Sequence, residues 1–117
     1  MKKLLAGSSK SLSIIFLITV LAFILSSCTK DSVNPPANEV YMSGSSFSPS
    51  TITVAVNTTV KWTNKDAIAH TVTSDAVLFD SGNMNSGATF NYKFTQAGTY
   101  NYHCTYHSMM TGTVIVH

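Results

Sequence analysis

The chain has 117 residues, of which 44% are hydrophobic and only 10% are charged, and its formal net charge is +2. This length suits one small domain, and the absence of arginine and of any basic cluster argues against a nucleic acid partner. Three of the seven lysines lie in the first ten residues. The rest of the chain has four lysines and five acidic residues, so its net charge is about −1.

The N-terminal segment has the pattern of an export signal. Lysines precede an apolar run over residues 12–25 that is too short to be a good membrane-spanning helix. Small residues follow directly before Cys28, as in the lipobox of bacterial lipoproteins. We therefore expect a signal peptide over residues 1–27 and a lipid on Cys28, which would anchor the protein to a membrane of the bacterial cell envelope and expose it to the periplasm. An ordinary secretory signal cleaved near Ser27 is the alternative.

A change of composition divides the remaining chain into a tether and a domain. Residues 28–38 are polar, contain two of the three prolines and have no apolar periodicity, so we expect a flexible tether. From residue 39 onward Val, Thr, Tyr, Phe and Ile dominate. One small domain over residues 39–117 is predicted.

Strand patterns fill this domain. Five segments are rich in β-forming residues, most of them alternating apolar with polar, and are separated by turn residues: 51–56, 59–64, 89–94, 98–102 and 112–116. No segment has a convincing helical period. Such short, regularly spaced strands predict an all-β sandwich or barrel. The predicted core consists of Ile52, Val54, Val60, Trp62, Val72, Phe90, Tyr92, Phe94, Tyr100, Tyr102, Val114 and Val116.

The C-terminal loop of the domain carries a metal-binding pattern. Cys104 and His107 follow a predicted strand and are separated by two residues, so both side chains can reach one ion. His70 lies at the far end of an earlier strand pair, an edge that two-sheet folds bring next to the last loop. Two imidazoles, one thiolate and one weak thioether from Met109 or Met110 describe a blue-copper electron-transfer site.

Two further residues bear on this site. His103 is not expected to bind the metal, because strand alternation directs it to the face opposite Cys104. If Cys28 carries a lipid, Cys104 has no disulfide partner, and metal ligation would explain a single thiol in an exported protein.

The ligand loop extends into a longer shared pattern. Residues 102–114 read Tyr-His-Cys-Thr-x-His-x-x-Met-x-Gly-x-Val. This pattern resembles the cupredoxin family of type 1 blue copper proteins, in its amicyanin- and plastocyanin-like branch. Shorter matches lie upstream, at 47–49, 60–64, 70–72, 79–82 and 98–100. The resemblance implies a Greek-key β-sandwich of about eight strands with copper at one end, held by His70, Cys104, His107 and Met110.

The sequence departs from this family at two positions beside the ligands. Many relatives have proline where this chain has Tyr106, so the loop is expected either to be looser or to donate a hydrogen bond from the free amide. Asparagine often follows the first histidine, where this chain has Thr71. The shorter Thr71 hydroxyl is expected to tie the two ligand loops together.

The resemblance implies a one-electron shuttle, with one copper cycling between Cu(I) and Cu(II), rather than an enzyme. We expect a monomer that exchanges electrons with redox proteins such as a cytochrome or a dehydrogenase. Ile68, Tyr106 and Met109 would form an apolar docking surface near His107. Copper storage, delivery or sensing is the alternative. Catalysis is not expected, because the chain has no repeated His-x-His pairs for a copper cluster.

Overall fold

A computed structural model describes residues 34–117 of the chain. The predicted signal peptide, Cys28 and most of the predicted tether lie outside these residues. Within the described part of the chain there is no helix long and apolar enough to cross a membrane.

Eight strands make up the described residues: β1 Glu39–Ser43, β2 Ser46–Ser48, β3 Thr51–Val54, β4 Thr58–Asn64, β5 Thr73–Ser74, β6 Thr89–Phe94, β7 Gly98–His103 and β8 Thr111–Val116. They form two four-stranded sheets, with the orders β2-β1-β4-β6 and β3-β8-β7-β5. Sequence neighbours are often separated within a sheet, as in a Greek key. The prediction of an all-β, eight-stranded Greek-key sandwich is confirmed.

Each sheet contains one parallel pair of strands that are distant in sequence. In the first sheet β1 runs parallel to β4, with Val40 opposite Trp62. In the second sheet β3 runs parallel to β8, with Ile52 opposite Val114. The remaining strand pairs are antiparallel. Apolar residues recur at every second position of the central strands, so one face of each sheet turns inward.

Trp62 forms the centre of the core between the sheets. Its side chain is fully buried, and its ring lies 5.4 Å from the Tyr102 ring in an edge-to-face arrangement and 5.9 Å from the Phe79 ring. These separations are typical of favourable aromatic pairs. The core therefore joins β4 of one sheet to β7 of the other, directly beneath the end of β7 that leads to Cys104.

Nine of the twelve predicted core residues are buried, but Phe90, Tyr92 and Tyr100 are only partly buried. Phe90 and Tyr92 lie on β6, at the edge of its sheet, where neighbours cover an aromatic ring from one side only. The Tyr100 hydroxyl donates a hydrogen bond to the Gln96 carbonyl, 2.7 Å away, at the exposed surface. Its polar tip therefore stays at the rim of the core.

Candidate metal centre

The β7–β8 connection presents three of the four predicted ligands on one short loop. The Cys104 amide donates to the Met110 carbonyl at 3.0 Å, and the Met110 amide donates to the His107 carbonyl at 2.9 Å. These bonds close the loop tightly between the two strands. Cys104 and Met110 are buried, His107 is partly buried, and Met109 is 93% exposed. Of the two candidate methionines, Met110 alone therefore points away from solvent.

His70 comes from a separate part of the sandwich. It forms an isolated bridge with Met84, in which each backbone amide donates to the other's carbonyl, at 3.1 and 2.9 Å. The His70 side chain is fully buried. A buried imidazole with this backbone anchor has little freedom to move.

The structure brings His70, Cys104 and His107 together. The two Nδ1 atoms of the histidines lie 3.2 Å apart, and the Cys104 Sγ lies 3.9 Å from Nδ1 of His70 and 3.7 Å from Nδ1 of His107. For one ion with tetrahedral angles and bonds of about 2.0 Å to nitrogen and about 2.3 Å to sulfur, two nitrogens would be about 3.3 Å apart, and a nitrogen and the sulfur about 3.5 Å apart. The spacing of the three donor atoms therefore fits a single bound ion.

The chemistry of these donors fits copper. Thiolate and thioether sulfur are soft ligands, and two imidazoles with one thiolate and a weak axial methionine form the type 1 copper set. When bound, copper supplies a one-electron couple between Cu(I) and Cu(II). Among the residues that the structure describes, His70, Cys104 and His107 form the single cluster of histidine, cysteine and acidic side chains able to hold a metal.

The Cys104 thiol is prepared to ionise. Burial alone would raise its pKa, but a hydrogen bond from the Thr71 backbone amide, contacts with both imidazoles and a bond from the Tyr106 amide lower the pKa to about 6. The Thr71 amide lies 3.3 Å from the sulfur. A thiolate is the form that binds metal, so the fold favours the binding form before the metal arrives.

Both sequence departures have a visible consequence. The Thr71 hydroxyl accepts a hydrogen bond of 2.8 Å from the Thr105 amide, and lies 3.1 Å from the Thr105 hydroxyl. The prediction that Thr71 ties the two ligand loops together is confirmed. The Tyr106 amide, which a proline would remove, is among the groups that lower the Cys104 pKa. Of the two expectations for this position, a looser loop or a hydrogen bond from the free amide, the second therefore holds.

His103 lies outside the cluster, as predicted. Its Nδ1–H donates to the Asp75 carboxylate at 2.6 Å, and both side chains are partly exposed. Because its backbone is part of β7, it faces away from the buried Cys104 side chain.

The predicted docking residues are exposed around the ligands. Tyr106 precedes His107, Met109 follows it by two residues, and Ile68 precedes His70 by two. Their exposed fractions are 53%, 93% and 49%, respectively. Since the ligands converge, these neighbours lie at the same end of the sandwich.

Sequence reasoning missed two polar residues that shape the site, Asn64 and Asp66. Asn64 is fully buried at the end of β4, and its side-chain amide donates to the carbonyls of Ile68 and Met84 at 2.8 and 2.9 Å. It thereby holds the loop that leads to His70 against Met84, in the connection between β5 and β6. The available signal in the sequence was an asparagine at the last position of the predicted strand 59–64.

Asp66 contacts the predicted ligand His70 itself. The His70 Nε2–H donates to the Asp66 Oδ2 at 2.8 Å. Burial alone would raise the pKa of Asp66, but hydrogen bonds from Ser45, His70 and Gly44 bring it below its ordinary value. The spacing of four residues between Asp66 and His70 carried no recognisable signal in a loop.

Comparison with known proteins agrees with this geometry. The cupredoxin-like domain model matches residues 14–116, and the chain belongs to this family. It is 38% identical over 68 residues to amicyanin of Paracoccus denitrificans, covering 54% of this chain and 52% of that protein. It is 31% identical over 90 residues to amicyanin-alpha of Methylorubrum extorquens, covering 68% and 71%.

A solved structure extends the comparison to the fold. The purple cupredoxin from Nitrosopumilus maritimus superposes with a TM-score of 0.63 at 30% identity, covering 68% of this chain and 98% of that one. The predicted resemblance to cupredoxins is therefore confirmed. The chain spans about half the length of the Paracoccus amicyanin that it matches.

Proposed function

We propose that this protein is a one-electron carrier with a single type 1 copper held by His70, Cys104, His107 and, as the weak axial ligand, Met110. The observation that carries the proposal is the convergence of one sulfur and two imidazole nitrogens within 4.8 Å of one another. Family membership supports it, since two of the similar proteins are amicyanins.

The rigidity of the site favours electron transfer over catalysis. His70 and Cys104 are fully buried, and the groups around them are fixed by the bonds to Met84, Thr71 and Met110. Buried ligands leave no open position for a substrate. Little rearrangement between oxidation states lowers the cost of moving an electron, so this rigidity serves a shuttle better than an enzyme.

The alternative is copper storage, delivery or sensing. It gains some support from four methionines in the domain, because thioethers suit Cu(I). Three of them, Met42, Met84 and Met110, are buried, and Met109 is the exposed one. A single exposed thioether does not make a transfer path, so this function is less well supported.

An absorption spectrum tests the copper assignment. Adding Cu(II) to the metal-free domain should give an intense visible band from the Cys104 thiolate, and Cys104→Ser should abolish it. His103→Ala is the matched control, because this histidine adjoins Cys104 but faces Asp75 instead. A wild-type protein that stays colourless with Cu(II) would contradict the proposal.

Electron exchange separates the two functions. A carrier should oxidise a reduced c-type cytochrome rapidly and retain its copper against a chelator. A storage or delivery protein should lose copper to the chelator and exchange electrons slowly. Stopped-flow spectroscopy measures the first property and equilibrium dialysis the second.

We further propose that Ile68, Tyr106 and Met109 form the surface that meets a redox partner such as a cytochrome or a dehydrogenase. A small exposed apolar surface next to a partly buried ligand suits brief contacts. Met109→Lys should slow electron transfer at least several-fold without changing the visible spectrum. Val77→Lys is the control, because Val77 is an equally exposed apolar residue, at 91%, in a different loop. Equal rates for both variants would contradict this docking surface.

For localisation, we propose export with a signal peptide over residues 1–27, a lipid on Cys28, a tether over 28–38 and a monomeric periplasmic domain over 39–117. The sequence pattern before Cys28 supports it. Mass spectrometry of the N-terminus should find a diacylglyceryl group on Cys28, and Cys28→Ala should move the protein from the membrane fraction to the soluble fraction. A mature N-terminus at another residue would contradict the anchor.

A further inference from the structure

The Asp66 carboxylate lies between a ligand histidine and a hairpin turn that is distant in sequence. Its Oδ2 accepts a hydrogen bond from the His70 Nε2–H at 2.8 Å. The same carboxylate accepts bonds from the backbone amides of Gly44 at 2.7 Å and Ser45 at 2.9 Å. One side chain therefore links the β1–β2 turn to the predicted metal site.

The turn is shaped to bind this carboxylate. Gly44 has φ of 60° and Ser45 has φ of 55°, and two successive residues with positive φ are typical of the type I′ turn between paired strands. Their amides bond separate carboxylate oxygens, Oδ1 and Oδ2. Bonds from backbone amides to a charged acceptor are stronger than those between neutral groups. The turn thus fixes both oxygens of Asp66.

Two further bonds fix the backbone around Asp66. Its own amide donates to Asn64 Oδ1 at 2.9 Å, and the Lys65 amide donates to the Met42 carbonyl at 2.9 Å. The carboxylate is therefore held from its backbone and from its oxygens. Such a group can impose an orientation on its neighbour rather than follow it.

The bond to Asp66 decides which nitrogen of His70 is free. An ionised carboxylate can only accept, so Nε2 must carry the imidazole proton and Nδ1 must be bare. Nδ1 is the atom that lies 3.2 Å from His107 and 3.9 Å from Cys104. The bare nitrogen thus faces the other donors, and the protonated one faces the carboxylate.

We propose that Asp66, held by the Gly44–Ser45 turn, is the positioning residue of His70, fixing its tautomer and ring orientation for metal binding. This inference rests on the proposed function, because it takes His70 as a ligand. Partners of this kind are worth about 10- to 100-fold in metal affinity. A turn more than 20 residues away from His70 in sequence would therefore help to set the affinity of the site.

Histidine NMR on the metal-free protein tests the positioning directly. Labelled with ¹⁵N, the wild type should show His70 as the pure Nε2–H tautomer with a slowly exchanging proton. Asp66→Ala should give mixed tautomers and fast exchange. Asp75→Ala is the matched control, because Asp75 bonds His103, which is not a predicted ligand. A His70 that keeps its single tautomer in folded Asp66→Ala would overturn the proposal.

Copper affinity provides the second readout. Competition with a Cu(I) chelator should show affinity lowered about 10- to 100-fold in Asp66→Ala and unchanged in Asp75→Ala. If Asp66→Ala does not fold, Asp66→Asn keeps the shape and should lower affinity by a smaller factor. Unchanged affinity in a folded Asp66 variant would also overturn the proposal. If the wild type stays colourless with Cu(II), the proposed electron-transfer function is wrong. The NMR result on the metal-free protein still decides whether Asp66 positions His70.

Discussion

At the scale of single residues, Cys104 shows how hydrogen bonds lower the pKa of a proposed ligand. The surrounding amides and imidazoles lower the pKa of its thiol from an ordinary 9.0 to about 6. A group whose pKa is lower in the folded state stabilises the fold fully above its unfolded pKa, and this contribution disappears as the pH falls through the folded pKa. The thiolate should therefore stabilise the metal-free protein above about pH 9 and not below about pH 6.

This difference predicts how the stability of the metal-free protein depends on pH. Its free energy of unfolding should decrease between pH 9 and pH 6, by at most about 4 kcal/mol from this thiol. Thermal unfolding at several pH values measures the effect. Cys104→Ala provides the reference, since the decrease due to the thiol must be missing there. Identical pH profiles for the two proteins would contradict the prediction.

Tyr106 offers a second prediction at this scale. Its amide hydrogen bond stabilises the negative sulfur of Cys104 and should favour Cu(I), whose site carries less positive charge. Tyr106→Pro removes the amide and should lower the reduction potential by about 40 mV, the equivalent of a hydrogen bond of about 1 kcal/mol. Cyclic voltammetry measures the potential.

The control for this prediction is Tyr106→Phe. That variant keeps the amide and loses only the hydroxyl, which donates to Asn83 at 3.0 Å. Its potential should stay within a few millivolts of the wild type. A potential that falls equally in both variants would assign the effect to the side chain.

How far a residue could be assigned from the sequence depended on distance along the chain. Cys104 and His107 lie three residues apart, so their joint role followed from local spacing. His70 lies 34 residues before Cys104, so pairing it with them also needed the expectation that a two-sheet fold brings the end of an earlier strand pair next to the last loop. Asp66 escaped notice because its partners, Gly44 and Ser45, lie 22 and 21 residues away, and a charged residue in a loop usually faces water.

At the scale of elements, the packing of β7 against β8 depends on one glycine. Tyr102 lies opposite Gly112 in this pair, and the Tyr102 ring occupies the space where a side chain would start. A Cβ added to Gly112 would lie 2.7 Å from Cε2 of Tyr102 and closer still to Cζ. Since Tyr102 is fully enclosed by the core, the ring has little space to withdraw.

Gly112→Ala should therefore destabilise the domain strongly. Overpacking of this kind costs about 1–3 kcal/mol, and the value here should lie at the upper end because the clash involves a rigid ring. Urea unfolding measures the loss. Thr111→Ala, at an exposed position of the same strand, should change the stability by less than about 0.5 kcal/mol. Equal stability of the two variants would show that β8 can shift away from Tyr102.

The length of an element decided whether the sequence revealed it. The strand β6, with six residues in clean alternation, was predicted with its observed bounds. β2 has three residues and β5 has two, too few for a period to be recognised. β5 exists because Thr73 and Ser74 pair with His103 and Tyr102, so tertiary contacts rather than local preference define it.

At the scale of the whole molecule, the metal should contribute to stability. Because the proposed ligands come from two distant parts of the chain, His70 and the β7–β8 loop, we expect the folded state to bind copper and the unfolded state to bind it poorly. A ligand present at 1,000 times its dissociation constant adds about 4 kcal/mol. Bound Cu(I) should therefore raise the unfolding midpoint by 10 °C or more, whereas Cys104→Ala should gain much less. Calorimetry under anaerobic conditions checks this, and equal gains would contradict it.

The position of β8 has a consequence for the order of events during synthesis. This strand lies in the interior of its sheet, between β3 and β7. It pairs in parallel with β3, whose residues precede their β8 partners by about sixty positions in the sequence. Neither β3 nor β7 has its full set of partners until β8 has emerged, so the domain cannot complete its fold while the ribosome is still translating that strand. A chain that has not yet completed its fold can pass through a narrow translocation pore, as the proposed export requires.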